Sequence, residues 1–344
     1  MRPSHHLSKH FVGKTQQGLT LVELLVSLLL GAFMSLGMVG VYLDSKRNYA
    51  AEEEMARMQE NGRYTLNMLK RELNMAGLFG GDLAAEEIPA PAIGTDCASG
   101  NWALDATNAI EFTNNHDSSS DPVTSNGTTL SCIDGSEIQP NTDVLAIKRT
   151  AGEPSLRSGA FSANFSASSD ERWYMRVVNY GNEREWSKLA GADLEDPNGP
   201  YDPNDVDTEL AYWEAYTRVY YIRNYAEDTT DGIPTLCVET LVGDDMVEQC
   251  LVEGIEEMQI EFGIDTDTDG VVNIYTDAPT AADMAGAIMA RIYLLVRSTD
   301  EMIEYRNTKT YQLGRRTVNA KNDAYMRRVF TTTVQVRNAI LPVG

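Results

Sequence analysis

Between positions 265 and 277 the chain sets out Asp265, Asp267, Asp269, Asn273 and Asp277. Carboxylates two apart, closed by Gly270, place oxygens at positions one, three and five of a turn. That spacing suits a hard cation such as Ca2+, with the glycine allowing the sharp bend. Position twelve is Thr276 rather than glutamate, and strand-like segments flank the turn, so a helix–loop–helix calcium site is excluded. The alternative is a polar hairpin whose acids face water. Without a cation the three close carboxylates repel one another. Calcium is the one cofactor the residues suggest.

A second carboxylate, Glu23, stands at the mouth of an uncharged run from Leu24 to Leu43, in the order Gly18-Leu19-Thr20-Leu21-Val22-Glu23. Twenty helical residues rise about 30 Å, the thickness of a bilayer core. A charge at such a span is costly and calls for a partner. A cation brought against it would supply one, because two buried opposite charges cost less together than apart. Upstream lie Arg2, Lys9 and Lys14 and no acid, which keeps that side cytoplasmic. A secretory signal cut near Ser35 and Gly37, or a plain anchor, are the competing readings. The apolar run exceeds the usual h-region, and neither reading explains Glu23.

Other chemistry is poorly provided for. His5, His6 and His10 lie in the leader, leaving His116 in a Ser/Asn/Asp-rich stretch, where a solvated surface histidine is expected. Serine–histidine triads and multi-histidine zinc sites are nearly excluded. Glu256 and Glu257 are adjacent on a strand and point to opposite faces, so they are poor acid–base partners. No nucleophile elbow or phosphate loop is present, and an enzyme is not expected. The formal charge is −23; the leader carries +3, so the chain from Leu19 stands at −26. Such a surface repels nucleic acid and anionic lipid. Four cysteines beside an export signal suggest two disulfides. Cys237–Cys250, thirteen apart, is preferred and leaves Cys97–Cys132, although four cysteines allow three connectivities.

The elements that position these groups begin with a proline-free helix over 19–76. In its first half Ser27, Gly31 and Ser35 share a face and either admit a close helix neighbour or merely face lipid. Gly37 and Gly40 soften it. Past Asp44, the residues Met55, Met58, Gly62, Leu66, Leu69, Leu73 and Ala76 form a stripe that packs on the chain's own sheet, with a coiled coil as the alternative. Glu53 and Arg57 form an i,i+4 pair, and Gly77-Leu78 reads as a Schellman stop. Strands are expected at Asp143–Arg149, Trp173–Tyr180 and Glu209–Tyr225, and a half-buried one at Met258–Ile264. Asp193–Asp207 is a long acidic loop with Pro197, Pro200 and Pro203.

The stretch Gly18–Glu23 resembles the type IV pilin signal. In that family a prepilin peptidase cuts after the glycine and methylates the new N-terminus, here Leu19. The glutamate, here Glu23, pairs with the amine of a neighbouring subunit. Gln59-Glu60-Asn61-Gly62-Arg63-Tyr64, Ala76–Gly80, Ala290–Ser298 and Arg328–Asn338 are similar to PilW-type minor pilins; the resemblance is read at both ends of the chain and is not extended to 81–250. The resemblance implies an α+β, type IV pilin-like fold: leader 1–18, transmembrane and filament-core helix 19–43, amphipathic second half 44–80, and a periplasmic β-rich head 81–344 with a loop-rich insertion at 81–250, free to form a second lobe. It implies a minor pilin that primes type IV pilus assembly in a tip complex. Its partners would be other minor pilins, the major pilin and a tip adhesin. It would stand in the inner membrane of a Gram-negative cell, then at the pilus tip. A type II secretion pseudopilin and a calcium-dependent surface adhesin are the alternatives. Tyr212, Trp213, Tyr216, Tyr220 and Tyr221 either stack on sugars or fill a core.

Overall fold

The computed structural model describes residues 18–80, 88–98, 100–117, 123–125, 128–163, 165–178, 183–195, 210–336 and 338. The leader through residue 17 and the acidic loop from residue 196 onward lie outside the described residues. Contacts divide the chain into one unit up to Glu52 and another from Glu53 on.

Helix α1 runs from Leu21 to Met75 with no proline to break its hydrogen-bond ladder. In chain order it is followed by β1 (Ile110–His116), β2 (Val123–Ser125), β3 (Thr128–Leu130), β4 (Thr142–Thr150), β5 (Leu156–Arg157), β6 (Ala160–Phe161), β7 (Glu171–Val178), β8 (Glu183–Ala190), the short helix α2 (Gly191–Glu195) and β9 (Ala211–Arg223). Then come β10 (Thr235–Val242), β11 (Asp245–Glu253), β12 (Ile255–Ile264), β13 (Ile274–Thr276), the short helix α3 (Ala281–Ala285), β14 (Ala287–Arg297), β15 (Tyr311–Leu313), β16 (Arg316–Val318) and β17 (Arg327–Gln335). Among the described residues a nine-stranded sheet is built on the order β1-β4-β9-β10-β11, with β7 pairing β8 and β9. A four-stranded antiparallel sheet has the order β13-β12-β14-β17.

Both sheets and the second half of α1 share one core. Met58, Leu66, Leu69 and Leu73 of the helix, with Ala76 just past its end, meet Leu145, Ile147, Tyr220 and Ile222 of the large sheet and Met258, Ile260, Ile292 and Leu294 of the small one. The 110–253 strands thus contribute to the same core as the C-terminal sheet. Each fully buried leucine, such as Leu69 and Leu73, is worth roughly 1.5–3 kcal/mol relative to exposure. The other face of β4 and β9, with Val144, Ala146, Val219 and Tyr221, is covered by Trp102, Leu104, Leu130 and Ile138. Strand alternation lets one chain segment serve both layers.

Three local expectations need correction. Met55 is 45% exposed, because Glu54 takes the inward position at that turn and accepts a hydrogen bond from Thr299 N at 3.2 Å. Gly77 does end the helix region at φ 76°, but its amide donates to Lys148 O on β4 at 3.1 Å, and Leu78 N donates to Met75 O, so the Schellman bonds are replaced by a sheet contact. Strand β12 is buried along its whole length rather than on one face. Its polar alternates are covered and matched: Gln259 Nε2 donates to Asn141 O, Glu257 meets Arg316, and Glu261 accepts from Tyr293 Oη.

Candidate functional site

The α1 N-terminus is built by Thr20 and Glu23. Glu23 Oε2 accepts from Thr20 N and Thr20 Oγ1, both at 3.0 Å, and Thr20 Oγ1 accepts from Glu23 N at 3.3 Å. This is a capping box: a threonine just before the helix and a glutamate at its third position exchange bonds that free helix amides lack. The carboxylate is exposed, and so is Leu19. From Leu21 to Leu43 the large apolar side chains are exposed as well. By length and composition α1 is apolar enough to cross a membrane. Ser35 Oγ donates to Gly31 O at 2.9 Å, so its hydroxyl is satisfied within the helix. A Cβ on Gly31 would meet nothing within 4 Å. The Ser27, Gly31 and Ser35 face is therefore open for a neighbour to approach closely.

In the head, α1 is tied to the large sheet by charge that the sequence pattern did not reveal. Glu72, buried beside Leu69 and Leu73, receives both Nε and an Nη of Arg149 at 2.9 and 2.8 Å, and an Nη of Arg218 at 2.8 Å. Burial pushes the Glu72 carboxyl up, but the two guanidiniums pull it further down, leaving it below the ordinary value. Arg149 and Arg218 lie 4.8 and 4.7 Å from the centre of the Tyr216 ring. Burial and Glu214 push the Tyr216 phenol up to about 12. These groups, with Arg71, Arg172 and Glu153, line a cavity of about 740 Å³. Four arginines face three glutamates there, so it is close to charge-balanced. A glutamate within an apolar helical stripe was the only sequence signal for it.

The acidic turn between β12 and β13 gathers Asp265, Asp267 and Asp269, whose carboxylates each offer an oxygen within 4.8 Å of the others. Asp265 organises the backbone: it accepts from Thr268 N and Gly270 N at 2.7 Å and from Asp267 N at 3.2 Å. Burial acts to raise the Asp265 carboxyl, yet those amides hold it below the usual range. Asn273 Oδ1 accepts from Thr266 N and Oγ1, and Asp277 lies 3.8 Å from Arg315. The turn brings three of the five expected oxygen donors together; the other two face protein partners.

Cys97–Cys132 and Cys237–Cys250 are the two disulfides. His116 is not a solvated loop residue: it ends β1, is 4% exposed, and its Nε2 lies 3.2 Å from Gly135 O. The β1 edge, invisible in that polar composition, carries it inward. Glu256 and Glu257 bind different arginines, Arg327 and Arg316, at 2.5 and 3.0 Å. Of the aromatic strand, Tyr212, Tyr220 and Tyr221 are core residues.

Residues 13–39 match the family model of the prokaryotic N-terminal methylation motif. Residues 219–338 match that of type IV pilus-assembly protein W. The chain matches a PilW-type type IV pilin. The PilW match starts within β9 and runs past β17, so it takes in the whole four-stranded sheet. Neither curated proteins nor solved structures gave a match. Both matches support a minor pilin related to the type IV pilus, and the apolar α1 behind a prepilin motif fits a membrane-anchored pilin. A prepilin motif of this kind implies processing by prepilin peptidase and contact with other pilus components.

Proposed function

We propose that this PilW-type pilin acts in the initiation of type IV pilus assembly, within a small priming complex that ends at the filament tip. The observation that carries the reading is the exposed, uncharged helix from Leu24 to Leu43 with Glu23 at its mouth, placed directly behind Gly18 in a matched methylation motif. The helix waits in the inner membrane of a Gram-negative envelope with the head in the periplasm. On assembly Glu23 leaves its Thr20 capping bonds and takes the methylated amine of Leu19 in a neighbouring subunit. The proposed partners are other minor pilins, the major pilin and a tip adhesin. The processing residues are Gly18 and Leu19, and Ser27, Gly31 and Ser35 form the helix-packing face.

The test is complementation of a strain lacking this chain, counting surface pili by electron microscopy. Wild type restores piliation, whereas Glu23→Ala yields processed, membrane-held protein and few pili. Full piliation with Glu23→Ala, or loss of secretion rather than of pili in the deletion strain, contradicts the reading; the latter points to a secretion pseudopilus.

A Ca2+ ion in the acidic turn is the second part of the reading, supported by the approach of Asp265, Asp267 and Asp269. Those carboxylates fit a hard cation, with Asp265 shaping the loop. Calcium added to the chelator-treated full chain raises its Tm, and Asp267→Asn with Asp269→Asn removes that rise. An unchanged Tm in the wild type contradicts it.

A further inference from the structure

Lys148 and Glu111 form a buried pair that neither pilus assembly nor the cavity uses. Glu111 on β1 stands opposite Ala146 on β4, and Lys148 is two residues further along β4. Residues two apart on a strand share a face, so the two side chains meet on the diagonal. Lys148 Nζ lies 2.7 Å from Glu111 Oε1, with the side chains 2% and 3% exposed. The indole Nε1 of Trp102 donates to the same oxygen at 2.7 Å, and its ring lies 4.5 Å from Nζ. The second oxygen, Glu111 Oε2, is buried and has no hydrogen-bond partner among the described residues. Ionised in a dry site, that oxygen bears charge with nothing to receive it.

We propose that Lys148 and Glu111 condense to an amide that covalently joins β1 to β4. The lone pair of the neutral Nζ attacks Glu111 Cδ, forming the C–N bond. Oε1, already held by the Trp102 N–H, takes the charge of the tetrahedral adduct and becomes the amide carbonyl oxygen. The bond from Cδ to Oε2 breaks, and Oε2 departs as water with the two protons the ammonium gives up. One ammonium and one carboxylate yield one amide and one water, with no change in oxidation state and no co-reactant.

The surroundings favour each requirement. Burial pushes the Lys148 amine below its ordinary value, which raises the share of neutral nucleophile. Asp96 accepts from Ala98 N and Ala103 N at 3.1 Å, and its charge and that of Lys148 act on each other. Burial raises the Asp96 carboxyl. Reacting groups held in contact in a water-poor pocket gain a large effective concentration. The product removes two buried charges and discards the oxygen that lacked a partner, while the Trp102 bond is kept.

The test is peptide mapping of the reduced full-length protein recovered from membranes. The expected result is one branched peptide joining the segments of Glu111 and Lys148, lighter than their sum by one water, with no protease cleavage after Lys148. Separate, unmodified peptides carrying Glu111 and Lys148 overturn the proposal. So does retention of the one-water deficit in Lys148→Arg, because the water would then have been lost elsewhere. The wild-type map decides the question whether or not the variant folds.

Discussion

Glu72 and Glu239 show how differently two buried glutamates behave. Glu72 is matched by two guanidiniums, whereas Glu239 Oε2 has no hydrogen-bond partner among the described residues. Replacing Glu72 with alanine leaves Arg149 and Arg218 without the carboxylate they share, and the expected cost is about 3–5 kcal/mol in denaturant unfolding of the detergent-held chain. Glu239 stands opposite Glu248 on β11, and burial, aided by Glu248, pushes its carboxyl from 4.5 up to about 7. A carboxyl raised in the folded state binds a proton that the unfolded chain has lost. Its contribution to stability is full below about pH 4.5 and is lost as pH rises through 7. Glu239→Gln is therefore expected to flatten stability between these limits and to gain about 2 kcal/mol at pH 8, read from urea midpoints across pH. An unchanged pH slope contradicts this assignment. Neither glutamate was legible in the sequence as a buried group: the guanidiniums that match Glu72 lie 77 and 146 residues along the chain, and nothing in the β10 sequence marks Glu239 as facing inward. Glu23 was legible because its oddity is local: one carboxylate against an uncharged run.

At the scale of elements, helix α1 was readable, since a 3.6-residue apolar period survives without knowledge of neighbours, whereas the segments of β14 and β17 were picked out by the resemblance to PilW-type pilins. Strand β12 was readable as a strand but not as fully buried. Its outer face carries Glu257, Gln259 and Glu261, and segments distant in sequence cover them: Arg316 binds Glu257, a Cβ on Gly314 would lie 2.5 Å from a Glu261 oxygen, and Gln259 donates to Asn141 O. The acidic turn was readable as a turn, whereas the diversion of Asn273 to Thr266 and of Asp277 to Arg315 depended on loop geometry. Gly62 shows why the helix stripe contains a glycine. A Cβ there would come within 2.7–2.9 Å of the Phe330 ring on β17, which touches the helix through its body rather than a flexible tip. Gly62→Val is expected to force α1 from the small sheet, lowering stability by about 1–3 kcal/mol, with a lower Tm as the readout. A Tm equal to wild type would mean that the helix and β17 are not in this contact.

For the molecule as a whole, two different physical problems are solved along one chain. From Glu53 on, apolar surface is buried and buried charge is mostly matched, as for Glu72, Glu256, Glu257 and Arg327. Between Leu21 and Leu43 the apolar surface remains exposed, and burial must come from lipid before assembly and from other subunits after it. The mass of the N-terminal peptide of the protein recovered from envelopes tests this most directly. The account predicts a peptide beginning at N-methyl-Leu19, which requires cleavage after Gly18 on the cytoplasmic side and an anchored helix still intact. A peptide retaining Met1, or one beginning near Gly37, would contradict it, because Glu23 would then lack its amine partner or be missing altogether.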